Sequence, residues 1–342
     1  MTFDSYSFLG IIFSLAGLLT VIGIVYYKQL ANRFGIVAKK NFRTLHEVDV
    51  PRGSGVILGL VFLFFLIILW CFAYINDSIF SILLIGGLSS TLFGLLDDIM
   101  DIKARIKLII QLLLSVMILY SLNDKSKLIV EQFSFLTIIG IILLFIAVAW
   151  FLNLVNFMDG ADGLLATCTC CVCVMLFGLL YLNHSDLDVM ILSGLLAVVC
   201  LAFLLFNWPP ASVFMGDAGS LFIAFVLGVF IINTIDKSIS PWLWLIMLGY
   251  ILTDTCLTLL LRIILVKKWY GAHRSHAYQN FVRIRGEHKT ALYIILAYHL
   301  FWLMPLLVLA NTYQTYEIAF ALLAVLPVSC GTIKYGPLLS KD

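Results

Sequence analysis

The chain has 342 residues, of which 63% are hydrophobic and 12% are charged, and its formal net charge is +2. The mean hydropathy of +1.09 excludes an ordinary soluble domain. The small net charge says little about partners, and no nucleic-acid partner is expected.

Apolar runs long enough to cross a bilayer recur along the whole chain, which is typical of an all-α polytopic integral membrane protein. We predict one membrane-embedded domain, residues 1–342, with about eleven transmembrane helices. The predicted spans are 8–27, 55–75, 78–96, 104–122, 135–152, 164–182, 188–206, 218–235, 241–264, 290–311 and 316–335. The first span lacks a basic leading region and a small-residue cleavage site, so it is not predicted to be a cleaved signal peptide.

Basic residues predict the orientation, because cytoplasmic loops are enriched in Lys and Arg. If residues 28–54 are cytoplasmic, 18 of the 21 Lys and Arg residues lie on that side, and only Lys125, Lys127 and Lys237 lie opposite. We therefore predict a multi-pass membrane protein with its N-terminus out and its C-terminus in. Every unusual polar cluster then lies at the cytoplasmic face.

A short turn, Pro51-Arg52-Gly53-Ser54-Gly55, precedes the second span. Its glycine amides and the Arg52 guanidinium are suited to holding a phosphate. The alternative is that Arg52 only contributes to the enrichment of basic residues on the inner side.

The first large polar cluster runs from Asp97 to Lys107. In a helix, Asp97, Asp98 and Asp101 lie within about one turn, and three carboxylates this close repel unless a cation holds them. That cation is either Mg²⁺ or a nearby basic side chain. The alternative is a helix-capping loop in which Asp101 pairs with Arg105.

The second cluster runs from Asn153 to Leu164, between two apolar runs. Its amides and carboxylates recur every three residues, so a helix continuing into a turn would present them along one edge: Asn153, Asn156, Asp159 and Asp162. Gly160 and Gly163 allow close backbone approach or positive φ. The alternative is a polar turn between two helices.

The third cluster runs from Phe206 to Ser220 and leads into a predicted helix. Asp217 and Ser220 are typical of a helix start, where free amides suit a phosphate. A plain helix cap is the alternative reading.

The fourth cluster, Tyr270 to Gln279, contains His273, Arg274 and His276 in a basic loop. Adjacent histidine and arginine side chains can bind a pyrophosphate through several charge-assisted hydrogen bonds. The alternative is that these side chains are simply solvated.

Carboxylates, amides and basic residues converging on one face match the needs of phosphoryl transfer, in which a metal ion and cationic side chains stabilise the phosphate charge. Two other classes stay open. A transporter of an anionic or nucleotide-sugar substrate would need acids or broken helices near mid-membrane. A non-catalytic scaffold would leave the clusters without a shared purpose.

With these motifs, the chain resembles the polyprenyl-phosphate N-acetylhexosamine-1-phosphate transferases (glycosyltransferase family 4). The resemblance extends from Pro51-Arg52-Gly53 to the fourth cluster, and includes Asn-x-x-Asn-x-x-Asp-Gly-x-Asp-Gly and Gly-Asp-x-Gly-Ser. It implies that undecaprenyl phosphate, a membrane lipid, attacks the β-phosphorus of a UDP-N-acetylamino sugar and releases UMP. That reaction would be the first membrane step of O-antigen, capsule or other cell-envelope glycan synthesis.

The resemblance also implies roles for individual residues. Mg²⁺, with Mn²⁺ as an alternative, would be held by Asn156 and Asp217. The nucleotide would be contacted by Asp162, Gly163 and Phe214. Phosphates or sugar would be held by Arg52, Lys107, His273, Arg274 and His276. The candidate catalytic carboxylates are Asp97, Asp98 and Asp159. A homodimer is left open.

The fourth cluster reads His273-Arg274-Ser275-His276, where the peptidoglycan branch of the family carries a run of histidines. This form is more similar to members that serve surface polysaccharides. The expected donor sugar is therefore GlcNAc or a 6-deoxy relative such as FucNAc or QuiNAc. Asp254 and Arg262, two helical turns apart, are open to a structural or a functional reading.

Overall fold

The computed structural model describes residues 3–38, 50–121, 135–235, 239–265, 275–285 and 288–337. Its helices, in chain order, are α1 (Phe3–Phe34), α2 (Gly55–Cys71), α3 (Asp77–Met100), α4 (Ala104–Tyr120), α5 (Phe135–Phe157), α6 (Leu164–Leu182), α7 (Leu187–Asn207), α8 (Gly216–Thr234), α9 (Pro241–Met247), α10 (Gly249–Leu265), α11 (Ala277–Arg285), α12 (His288–Tyr298), α13 (Met304–Thr312) and α14 (Glu317–Tyr335). A π turn, His299–Leu303, joins α12 to α13, and a 3-10 turn, Gln314–Tyr316, precedes α14. Two short strands, β1 (Val37–Ala38) and β2 (Val50–Pro51), pair antiparallel, with Val37 opposite Pro51.

The chain is an all-α polytopic membrane protein. Eight helical stretches in the described residues are long and apolar enough to cross a membrane, and the bent pair α9–α10 makes a ninth if it is one span. The eight are α1, α3, α5, α6, α7, α8, the stretch His288–Thr312 and the stretch Gln314–Tyr335. This confirms the predicted fold class.

Each predicted span falls on helical residues, but three differ from a full straight span. Helices α2 and α4 have 17 residues each, near the lower limit for crossing a bilayer. The expectation of one continuous helix over 241–264 was wrong, because α9 and α10 meet at an angle of 85°. The apolar run is unbroken there, so hydropathy carries no sign of the bend. Pro241 occupies the first turn of α9, where its missing N–H costs nothing.

Helix α8 lies at the centre of the bundle and is buried along nearly its whole length. Small residues bring its neighbours close: a Cβ at Gly94 of α3 would collide with the backbone of Asp217 and Ala218, and one at Gly55 of α2 would collide with Gly219. Close approach at small residues is how membrane helices pack without a hydrophobic driving force. The start of α8 is thereby held between α2 and α3, which positions the candidate site.

Candidate active site

Asp98 joins three segments at the start of α8. Its carboxylate accepts hydrogen bonds from the backbone N–H groups of Asp217 (3.0 Å) and Ala218 (3.1 Å), and it lies 2.8 Å from Arg52 Nε. The Asp98 side chain has no exposed surface. A carboxylate at a helix N-terminus satisfies amides that lack a partner within the helix. The structure therefore places Asp98 as a cap and clamp, with its oxygens already engaged.

Arg52 reaches this carboxylate from a turn that docks onto the chain before α8. Phe214 N donates to Pro51 O (2.8 Å), and Ser54 Oγ donates back to Phe214 O (2.7 Å). Burial acts to lower the pKa of Arg52, but the surrounding carboxylates, Asp98 foremost, act in the opposite direction and leave it raised. The Arg52 guanidinium is thus a fixed cation beside the acidic cluster.

Two glycines allow these backbones to approach. Gly53 and Gly216 have φ of +80° and +71°, which side-chain-bearing residues rarely adopt. A Cβ at Gly216 would also collide with the Asp98 carboxylate.

Lys107 lies between two of the predicted carboxylates. Its ammonium pairs with Asp97 and lies 3.1 Å from Asp217 Oδ2. Asp97 also accepts a hydrogen bond from Ile102 N (2.8 Å), in the turn between α3 and α4. The repulsion expected between clustered carboxylates is therefore offset here by a basic side chain of the protein.

Asn156 and Ser220 connect α5 to α8. The Ser220 hydroxyl donates to Asn156 Oδ1, with Gly216 O at 3.2 Å as an alternative acceptor. Asn156 also lines a small cavity of about 30 Å³, together with Phe93, Gly94, Asp97, Ile102, Lys107, Ile110, Gln111, Asp217 and Leu221. The structure thus brings Asn156, Asp217, Asp97 and Lys107 to one cavity.

Asp159 lies in the loop after α5 and belongs to the same electrostatic cluster. Burial and the negative charges of Asp217 and Asp98 raise the pKa of Asp159 well above its usual range, while the backbone of Gly216 and the charge of Arg52 act against this rise. A carboxyl group whose pKa is raised holds its proton more readily than a solvated one.

The remaining loop contacts explain two further predicted residues. Asp162 Oδ2 accepts from Ala211 N (3.0 Å), and Gly163, with φ +70°, donates to Asn207 Oδ1 (2.9 Å). Both contacts join the Asn153–Leu164 loop to residues 207–215. Phe214 is half-buried beside the Arg52 turn. Asp162, Gly163 and Phe214 therefore shape one connected loop region beside the acidic cluster.

His276 has a different environment. It is buried, and its Nδ1 lies 3.2 Å from Asp254 Oδ2 on α10. His273 and Arg274 lie outside the described residues. Arg262 Nη1 donates to Ser275 Oγ (2.7 Å), so Asp254 and Arg262 both contact the segment at 275–277.

Three residues that sequence reasoning missed support the site. Gln111 and Asn153 exchange two amide hydrogen bonds (3.0 and 2.8 Å), which joins α4 to α5. Tyr27 donates to Arg52 O (2.6 Å), and Tyr278 donates to Phe157 O (3.3 Å). Gln111 was detectable as a polar residue one helical turn after Lys107 in an apolar run. Tyr27 carried no comparable signal, and Tyr278 lies in the fourth cluster without any pattern there that indicates its contact with Phe157.

The oxygen atoms around the small cavity are of the kind that Mg²⁺ takes as ligands in proteins. Within the described residues, no group of three or more His, Cys, Asp or Glu side chains is arranged to hold a metal. The cavity instead offers the carboxylates of Asp97 and Asp217 and the amide of Asn156, with an ammonium already between the carboxylates. Mg²⁺ is commonly bound by one or two carboxylates and completes its shell with water and substrate phosphates. The residues present fit such a shared site.

These features define a polytopic membrane protein with a compact ionic cluster at one set of helix ends. The family model described as Glycosyl transferase family 4 matches residues 80–235. A "Probable undecaprenyl-phosphate N-acetylglucosaminyl 1-phosphate transferase" of Bacillus subtilis (strain 168) is 26% identical over 301 residues, covering 82% of this chain and 79% of the relative. A "Phospho-N-acetylmuramoyl-pentapeptide-transferase" of Streptococcus pneumoniae serotype 2 (strain D39 / NCTC 7466) is 30% identical over 223 residues, covering 60% and 67%. The chain belongs to glycosyl transferase family 4.

Proposed function

We propose that this protein transfers an N-acetylamino-sugar 1-phosphate from a UDP-sugar to undecaprenyl phosphate and releases UMP. The observation that carries the proposal is the Asp97–Lys107–Asp217 contact at the start of α8, with Arg52 held beside it. Family membership and the names of both relatives support the same general reaction.

In the proposed reaction, an oxygen of the lipid phosphate attacks the β-phosphorus of the UDP-sugar. The bond from that phosphorus to the bridging oxygen breaks, and UMP leaves with the bond's electron pair. A phosphate monoester has a second pKa of about 6, so the acceptor is largely ionised at neutral pH. A general base is then unnecessary, and single displacement suffices.

The residues of the cluster have separate proposed tasks. Asp217, Asn156 and Asp97 would hold Mg²⁺, which neutralises and aligns phosphates when bound. Lys107 and Arg52 would stabilise charge on the diphosphate, since cations aimed at developing phosphate charge lower the barrier. Asp98 holds the start of α8 in place. Asp162, Gly163 and Phe214 would form the uridine side of the site, and His273 and Arg274 would contact the diphosphate or sugar.

The proposed donor is UDP-GlcNAc or a 6-deoxy relative such as UDP-FucNAc or UDP-QuiNAc, because of the His-Arg-Ser-His sequence at 273–276. The proposed location is a bacterial inner membrane, with the site on the cytoplasmic face where UDP-sugars are made. The distribution of Lys and Arg supports that orientation.

One assay tests the function. Membranes that contain the protein are given labelled UDP-GlcNAc or UDP-FucNAc, undecaprenyl phosphate and Mg²⁺. We expect UMP release and a lipid-linked product, both abolished by EDTA and by Asp217→Ala. Full activity of Asp217→Ala would contradict the proposed metal site.

A transporter is the second candidate, because broken helices with buried acids are typical of secondary transporters. The 85° bend between α9 and α10 and the buried Asp254 are such features. However, both Asp254 oxygens are engaged by the protein itself. Uptake of labelled UDP-sugar into proteoliposomes without lipid product would favour this candidate.

A further inference from the structure

Two charged side chains on α10 are buried away from the acidic cluster. Asp254 and Arg262 are 1% and 3% exposed. They lie eight residues apart, which is about two helical turns and therefore one face of the helix. Buried charges are costly unless they are paired and hydrogen-bonded. The hydrogen-bond partners of Asp254 and Arg262 therefore indicate which segment these residues hold in place.

Asp254 holds the start of α11 through both oxygens. Its Oδ1 accepts from Ala277 N (3.1 Å) and from Thr332 Oγ1 of α14 (3.0 Å), and its Oδ2 lies 3.2 Å from His276 Nδ1. Because a carboxylate can only accept, the contact with His276 requires a proton on Nδ1. Asp254 thus fixes both the orientation and the tautomer of this imidazole.

Arg262 holds the preceding residue. Its Nη1 donates to Ser275 Oγ at 2.7 Å, and Ser275 is fully buried. Two side chains of one helix therefore fix three consecutive residues, Ser275, His276 and Ala277. Buried ionic contacts add little net stability compared with well-packed apolar residues. Their clearest effect here is to set the position of this segment.

The segment Ser275–Ala277 is also connected to the second cluster, Asn153–Leu164. The His276 ring stacks on Tyr278, with centroids 5.7 Å apart and planes at 19°. Tyr278 donates to Phe157 O (3.3 Å), and a Cβ at Gly160 would collide with its hydroxyl. Asp254 and Arg262 of α10 are therefore connected, through Tyr278 of α11, to the loop that carries Asn156 and Asp162.

We propose that Asp254 and Arg262 are positioning residues for donor binding. They fix Ser275–Ala277 against α10 and, through Tyr278, contact the loop that carries Asn156 and Asp162. They thereby set the geometry in which that loop meets the donor. This inference rests on the proposed function, because it needs a nucleotide-sugar donor bound near this segment. It assigns to the pair a geometric role in the reaction without direct contact with substrate.

The test compares three variants in the UMP-release assay. Asp254→Asn keeps the shape and removes the charge, and Arg262→Met removes the donor to Ser275. Thr258→Val is the matched control, because Thr258 is buried on the same helix between the two charged residues and its Oγ1 has no hydrogen-bond partner among the described residues. Loss of the partners that orient metal-ligating side chains typically costs about 10- to 100-fold, and we expect an effect of this order for Asp254 and Arg262. We expect KM for the UDP-sugar to rise about tenfold or more in the first two variants, with KM for undecaprenyl phosphate within about twofold of wild type.

Conservative replacement gives a further discrimination, because Arg262→Lys can still donate to Ser275 and should recover part of the donor affinity that Arg262→Met loses. Equal rises in both KM values, or a donor KM that is unchanged while the protein is folded, would overturn the inference.

A second readout does not depend on activity. Trypsin cleavage after Lys267, Lys268 and Arg274 is followed in the folded, detergent-solubilised protein. If Asp254 and Arg262 anchor the adjacent segment, cleavage should be about fivefold faster or more in Asp254→Asn and Arg262→Met than in wild type and Thr258→Val, because local opening becomes easier. Unchanged cleavage would overturn the anchoring. Wild-type protein that releases no UMP while showing this cleavage pattern would instead refute the proposed function.

Discussion

Replacing Asp98 by asparagine should separate the clamp at the start of α8 from the chemistry around it. Asp98 Oδ1 receives Arg52 Nε (2.8 Å) and Asp217 N (3.0 Å), and Oδ2 receives Ala218 N (3.1 Å). An asparagine offers only one acceptor oxygen. If that oxygen replaces Oδ1, the new NH₂ group faces the N–H of Ala218, donor against donor.

The cost of this change follows from the contacts. A hydrogen bond to a charged group contributes about 1.5–3 kcal/mol, and an unsatisfied buried donor costs a similar amount. The weakened attraction to Arg52 adds to this, so a loss of roughly 3 kcal/mol is expected, below the ~3–5 kcal/mol for fully truncating a buried pair. If this whole free-energy loss is added to the activation barrier, because Asp217 is displaced, kcat falls about 100-fold, since each ~1.4 kcal/mol is a factor of ten in rate.

The assay measures initial UMP release and thermal unfolding of the purified variant. Asp101→Asn is the matched control: this residue lies 3.7 Å from the same guanidinium, but its side chain is 93% exposed. Exposed ion pairs contribute little, so we expect its rate to stay within about twofold of wild type. Asp98→Asn with wild-type kcat and unfolding temperature would refute the clamp.

Two further predictions follow from the cluster and the topology. Lys107→Met removes the cation between Asp97 and Asp217 and should lower the rate of UMP release by about 100-fold, with partial recovery in Lys107→Arg; a rate near wild type for Lys107→Met would remove this lysine from the mechanism. In intact cells, a membrane-impermeant maleimide should label Lys125→Cys, and should label Lys289→Cys only after permeabilisation; the reverse pattern would contradict the proposed orientation.

The helical architecture was predictable because long apolar runs have few alternatives in a membrane. The bend between α9 and α10 was not, since the residues on both sides of Leu248 are as apolar as those of a straight span. Hydropathy reports burial in lipid or protein but carries no information on the direction of a helix.

At the site, the sequence motifs identified which residues come together, but they did not identify which side chains pair with one another. The expected cation among the carboxylates turned out to include Lys107, a basic residue of the first cluster itself. The alternative reading paired Asp101 with Arg105, but Asp101 lies near Arg52, from a turn about fifty residues earlier. Such long-range pairings depend on how helices pack, which local spacing does not encode.

The most direct test of the central claim follows the β-phosphorus. The protein is given UDP-GlcNAc or UDP-FucNAc labelled with ³²P at the β position, together with undecaprenyl phosphate and Mg²⁺. Transfer of a sugar 1-phosphate predicts that the label moves to the lipid fraction while unlabelled UMP is released. Label retained in released UDP beside a sugar-bearing lipid, or no labelled lipid with either donor, would contradict the account.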